Sequence, residues 1–252
     1  MTILSRLLLL FFVGTLSVQG ATRSDINAIE AAEHIRYLSQ KIAKNYLYLF
    51  SHPQHTKTRQ EIREMLDDLG KNFTIIASST KNNDTKDLLK YLEYNKENLE
   101  ELLAKKVTKD RALMMLDYSE VFLEGAESIA QEHHYHLTTE EAMLMSIKKD
   151  EYLIERLAKF YMASNLGVMS QANRRKMNTS AQELKEGLNT IHKYHYPPYL
   201  QKKKKELTAI WDSSNYILEH AHDMFIPNLV NITTTYFEQT LAQFALHHSK
   251  SQ

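Results

Sequence analysis

Cysteine is absent from this chain of 252 residues. That excludes disulfides, thiolate metal sites and a cysteine nucleophile. Glycine occurs six times and proline four times, and no stretch alternates apolar and polar residues over strand length. Few chain breakers and no period-two pattern predict an all-α protein. A charge excess is missing too, since 31 basic residues balance 31 acidic ones. A balanced surface offers no polyanion-binding face, so nucleic acid is not an expected partner. After the N-terminus, no apolar run approaches the ~20 residues that a membrane-spanning helix needs.

What is present begins with a targeting pattern. Arg6 is the basic residue, Leu7 to Val18 form a short apolar core, and Val18-Gln19-Gly20 before Ala21 suits cleavage. This order predicts a signal peptide over 1–20 and a mature, soluble, exported chain from Ala21.

The strongest helical pattern lies between Ile35 and Phe50. Ile35, Leu38, Ile42, Tyr46 and Leu49 recur at three- and four-residue steps, on one face. A second column, Ile29, Arg36, Ala43 and Phe50, is apolar except for Arg36. A guanidinium there needs a carboxylate partner, a bound anion or a path to water.

Caps and breakers divide the rest. Ser24 or Asp25 can cap a first helix that Ser51-His52-Pro53 stops. Thr58 with Glu61 reads as a capping box opening a second helix. A third follows the polar run Ser78 to Thr85, and Thr108 caps a fourth, to about Gln131. Four helices with short loops predict an antiparallel up-down bundle. After a break at His133 to Thr138, Thr138 and Glu141 form another capping box, and Gly167 suits a C-cap. Ser170 caps the next helix, Pro197-Pro198 breaks the chain, and Leu200 to His247 reads as one long helix kinked before Pro227.

The halves share a pattern. Tyr37-Leu38-x-x-Lys41-Ile42-Ala43-Lys44-x-Tyr46 matches Tyr152-Leu153-x-x-Arg156-Leu157-Ala158-Lys159-x-Tyr161, at an offset of 115. Asp117-x-Ser119-x-x-x-Leu123-Glu124-x-Ala126 matches Asp212-x-Ser214-x-x-x-Leu218-Glu219-x-Ala221, at an offset of 95. These matches predict duplicated bundles over 21–136 and 137–252, the second without a separate third helix.

The run Arg36-x-Leu38-Ser39-Gln40-Lys41-Ile42-Ala43-Lys44, then Tyr46-Leu47, resembles the signature of the PilJ-type domain. That is the N-terminal sensor domain of type IV pili methyl-accepting chemotaxis transducers, similar to the nitrate/nitrite-sensing domain of NarX-like kinases. The resemblance covers about 25–131 and, more weakly, 140–247. It implies a periplasmic antiparallel four-helix bundle working as a homodimer, first helix against first helix. It implies binding of a small anion such as nitrate or nitrite by the first-helix arginine, here Arg36, and signalling through a membrane sensor or chemoreceptor partner. The chain departs from the family at Glu33, where a small residue is usual, at His34, and in lacking flanking spans and a signalling module. In the second copy Glu151 takes the place of Arg36.

The candidate ligand residues are therefore Arg36, with Ser39 and Gln40 one turn later. The competing reading pairs Arg36 with Glu33. A third arrangement packs the halves against each other and sets Arg36 opposite Glu151. His133, His134 and His136, and His220 and His222, lack the spacing of a helical metal site, so no metal is expected. Lys202 to Lys205 reads as a solvated helix start. No nucleophile–base pair, catalytic carboxylate pair or phosphate loop can be placed, so neither enzyme activity nor a cofactor is expected. The reading is a sensory or ligand-binding bundle. The alternative is a structural or adaptor protein that has lost its ligand.

Overall fold

A computed structural model describes residues 23–220 and 224–250. The predicted signal peptide and His222 lie outside the described residues. Among these, all regular structure is helical: α1 (Arg23–Ser51), α2 (Thr56–Ser79), α3 (Asn83–Ala104), α4 (Lys109–Glu132), α5 (Thr139–Asn165), α6 (Gln171–Lys193), α7 (Pro198–Glu219) and α8 (Pro227–Ser249). None of them is long and apolar enough to cross a membrane.

Local chemistry sets most boundaries. The Thr108 side chain accepts from the Arg111 N–H, and that of Ser170 from the Asn173 N–H. Thr138 and Glu141 make the reciprocal bonds of a capping box. α5 ends on Gly167, at φ +67°, a conformation that favours glycine. The Val168 N–H then reaches the Ala163 carbonyl and the Gly167 N–H the Ser164 carbonyl, both at 3.1 Å, which is a Schellman closure.

Some boundaries differ from the sequence reading. Thr58 lies inside α2. His55 is the cap, its Nδ1 accepting from the Thr58 N–H at 3.3 Å. Ser24 and Asp25 lie within α1 rather than at its cap, and the Ser24 hydroxyl donates to the Ser79 carbonyl at 2.6 Å. The largest difference is at the end. The stretch read as one kinked helix is two helices, α7 and α8. Pro227 stands at the start of α8, where its missing N–H costs nothing. Ile226 before it is non-helical, at φ −129° and ψ 60°. Tyr161 of α5 holds this connection: its hydroxyl donates to the Met224 carbonyl at 2.6 Å and accepts from the Ile226 N–H at 2.7 Å.

The second half therefore has four helices, and α7 is its third. The match of 117–126 to 212–221 joins α4 to α7, which hold different positions in their bundles. It detects amphipathic spacing, not structural correspondence.

α1 packs on α2 and α4, and α3 bridges α2 and α4, closing one antiparallel bundle. α5, α6, α7 and α8 close a second in the same order. Each has its own apolar core, one around Ile42, Tyr46 and Phe122, the other around Leu157, Phe237 and Phe244. α1 also packs along α5. His133, just after α4, contacts Asp25 at the start of α1 at 3.0 Å. α5 therefore begins where α1 begins and runs alongside it in the same direction.

Candidate functional site

The seam between α1 and α5 has three layers. At the far end it is apolar, where Leu47 and Tyr48 meet Tyr161 and Met162 with Leu116 and Val230. The middle layer is ionic and almost dry. Lys44 reaches across to Glu155, with Nζ 3.0 Å from Oε1 and 2.9 Å from Oε2. Lys159 reaches back to Gln40 Oε1 at 2.6 Å. These contacts are reciprocal, because Lys159 and Glu155 stand 115 residues after Lys44 and Gln40. Lys41 pairs with Glu238 of α8 at 2.7 Å, and Arg156, at the same offset, with Glu120 of α4 at 2.6 Å. The side chains of Lys159 and Glu155 are 0% exposed, so their charges are solvated only by polar groups of neighbouring helices, Lys159 by α1 and α4 and Glu155 by Lys44 of α1.

Glu120 carries the densest set of contacts. Its Oε1 accepts from Lys159 at 2.7 Å, and its Oε2 from Arg156 and Lys176, both at 2.6 Å. Burial alone would raise its carboxyl, but the charges of Lys159 and Arg156 and the hydrogen bonds outweigh that, and it is pulled down to about 2. Burial pulls Lys159 down to about 8 against the attraction of Glu120. Lys41 lies 3.5 Å from Glu155 and 2.7 Å from Glu238, so the two carboxyls stand side by side. Two carboxylates so close are both ionised only at a cost, which a proton on one of them relieves. Burial and the neighbouring Glu155 charge raise Glu238, which takes it. Burial would raise Glu155 as well, but Lys44 and Lys41 lower it.

The third layer holds Arg36. Its Nη1 donates to Glu33 Oε1 at 2.6 Å and its Nη2 to the Tyr152 hydroxyl at 3.1 Å. Glu127 of α4 is 3.7 Å from Nη2, and the guanidinium lies 4.6 Å from the centre of the Tyr152 ring. Burial works against the Arg36 charge, and these neighbours more than offset it. For Glu33, burial outweighs Arg36 and raises the carboxyl. The other two candidate residues turn inward. The Ser39 hydroxyl donates to the Arg36 carbonyl at 2.8 Å. The Gln40 amide donates to Ser39 Oγ and the Ser119 carbonyl, both at 3.0 Å. The three residues are thus neighbours, each already bonded within the chain. Arg36 does not pair with Glu151, which takes Lys148 at 2.8 Å, three residues back on its own helix.

Beside this layer a cleft of about 760 Å³ opens between α1, α2, α5 and α8. Glu30, Glu33, His34 and Tyr37 line one wall, and Leu144, Met145, Lys148 and Glu151 the facing one. Burial, then the Lys148 charge, lowers His34, and its Nδ1 stands 3.1 Å from the Asn72 amide nitrogen.

Other candidates have structural partners. His133 contacts Asp25, and His220 Nδ1 lies 2.9 Å from the Tyr216 carbonyl. Among the described residues no group of three His, Cys, Asp or Glu could hold a metal ion. Lys204 is buried rather than solvated: its Nζ donates to the His192 and Tyr194 carbonyls, at 2.6 and 3.0 Å, and so caps the end of α6. Asp150 is buried with neither carboxyl oxygen hydrogen-bonded, and burial raises it well above the ordinary range. It sits against Gly187 of α6, where a Cβ would fall 2.0 Å from its Oδ1.

The residues that sequence reasoning missed are Glu120, Lys159 and Glu238. A signal existed for one of them, since Lys44 and Lys159 fall at matched positions of the 115-residue sequence pattern, each with a charge beside an apolar face. No known protein family, curated protein or solved structure matches the chain.

Proposed function

We propose that this chain is an exported, non-catalytic sensory or ligand-binding helical bundle of PilJ type, whose two duplicated halves stand in for the two subunits of a dimeric sensor. The observation that carries this reading is the pairing of α1 with α5, side by side in one direction, through the residues of the resembling motif. In this reading the protein passes its signal to a membrane sensor or chemoreceptor through a change in the seam.

A second reading has specific support. Glu33 sits on Arg36 at 2.6 Å, where the family places its anion. The chain's own carboxylate then stands in for nitrate or nitrite, and the protein is an adaptor that keeps the bundle without the ligand. Thermal shift with nitrate, nitrite and a chloride control, on the wild type, Arg36→Ala and Glu33→Gln, separates the two. A nitrate- or nitrite-specific rise in the wild type that Arg36→Ala removes supports an oxyanion sensor. A rise that appears only in Glu33→Gln supports the adaptor. No rise in any of the three overturns oxyanion binding at Arg36.

A further inference from the structure

The cleft beside Arg36 is the counterpart, across the seam, of the Arg36 position itself. Around Arg36 stand Glu33, Tyr152 and Glu127. The positions 115 residues from Glu33, Arg36 and Tyr152 are Lys148, Glu151 and Tyr37. Glu120 and Glu238, the seam partners of Arg156 and Lys41, stand 118 residues apart, and the same step takes Glu127 to Ala245. All four counterparts line the cleft. On one side, then, the chain places its own organic cation against a tyrosine and two carboxylates. On the other, the arginine has become a glutamate and the second carboxylate an alanine, and the space is open.

The charges around that space are mostly negative. Glu30, Glu33 and Glu151 line it; Arg36 holds one oxygen of Glu33 from outside the cleft and Lys148 pairs with Glu151, so among the described residues Glu30 is left without a cation. His34 adds no charge, since its protonation is disfavoured. Glu33 is nine-tenths buried, and its Oε2 has no hydrogen-bond donor. The hydroxyl of Tyr37 is taken by Lys41. Asn27, Asn72 and Ser249 add neutral polar groups, and the rest of the lining is apolar, chiefly Ile75, Leu144, Met145, Ala242 and Leu246. A small inorganic cation would leave the apolar walls wet, and an anion would meet the Glu30 carboxylate and the donor-less Glu33 Oε2.

We infer that this cleft binds an organic ammonium compound with an apolar body, its ammonium among Glu30, Glu33 and Glu151 and its body along Leu144, Met145 and Leu246. This rests on the ligand-binding reading above and names the ligand class for the open side of the same seam.

The test is calorimetric titration of the full mature chain with hexylammonium chloride, against hexanoate, hexanol and ammonium chloride. Saturable binding of hexylammonium, at least tenfold tighter than the other three, is expected. Leu246→Lys, at a half-exposed lip position, places a cation in the cleft and should weaken binding at least tenfold. The double variant Glu30→Gln/Glu151→Gln should do the same, with helicity checked by circular dichroism. Equal binding of hexanoate or hexanol overturns the assignment of charge. Unchanged hexylammonium affinity in Leu246→Lys overturns the assignment of place. If hexylammonium fails to bind while nitrate still shifts the melting temperature, this inference falls and the sensory reading stands; with no response to either, both fall.

Discussion

Glu120→Gln is the substitution that most directly probes the seam. Gln keeps the shape and removes the charge on which Lys159, Arg156 and Lys176 converge. Glu120 is drawn from an ordinary 4.5 to about 2 in the folded chain. At about 1.4 kcal/mol per pH unit, that makes its ionised form worth about 3 kcal/mol of stability. The carboxylate is nine-tenths buried, so solvent screens little of this. A second route agrees: removing one partner of a buried ion pair costs about 3–5 kcal/mol. For a chain of this size, about 2–4 °C is lost per kcal/mol, so the melting temperature at neutral pH should fall by about 6–12 °C. The sign with pH follows from a lowered carboxyl. Its contribution is present above the unfolded value, and is lost as pH falls from 4.5 towards 2. Wild type and variant should therefore converge in acid. Adding Lys159→Met removes the stranded ammonium and should recover part of the loss. Calorimetric scans from acid to neutral pH measure all of this. A neutral-pH change under about 2 °C, or curves that stay parallel into acid, would refute the reasoning.

Two further outcomes follow from raised carboxyls. Glu238 folds protonated, so its contribution is fully present below the ordinary carboxylate range and declines as pH rises through its raised folded value; Glu238→Gln should flatten that decline in urea titrations at mildly acidic and mildly alkaline pH, and an unchanged slope would count against a shared proton with Glu155. Asp150 has the same sign and no hydrogen-bond partner, so Asp150→Asn should raise the urea midpoint at neutral pH, and a lower midpoint would mean that Asp150 has a partner after all.

What could be read from the sequence was local. The caps at Thr108, Thr138 and Ser170 and the Gly167 terminus each depend on residues within one turn, so spacing alone finds them. The break between α7 and α8 was not legible. Only Pro227 marks it, and the tyrosine that holds it, Tyr161, lies more than sixty residues away. Arg36 was readable in part. Its pairing with Glu33 follows from the three-residue step. The same step disposes of Glu151, which Lys148 reaches first, so the cross-seam pair with Arg36 never forms. Glu120 and Glu238 could not be paired from their own helices, although each borders apolar residues and Glu238 is the only acid in α8. Their partners lie on α5 and α1, and packing alone brings them together.

The connection between α4 and α5 is only the stretch 133–138. So short a tether holds α5 beside α1 at an effective concentration in the millimolar range, whatever the protein concentration outside. Dilution therefore cannot open the seam, as it can separate two subunits. In a homodimer every substitution at the axis is made twice, and a change of charge on one side recurs on the other. In a tethered pair it is made once. Arg36 and Glu151, 115 residues apart, carry opposite charge, one closed by its own neighbours and one facing a cleft. A ligand that enters there has a single place to go, so it titrates one to one, with a Hill coefficient of one and no cooperativity between equivalent sites.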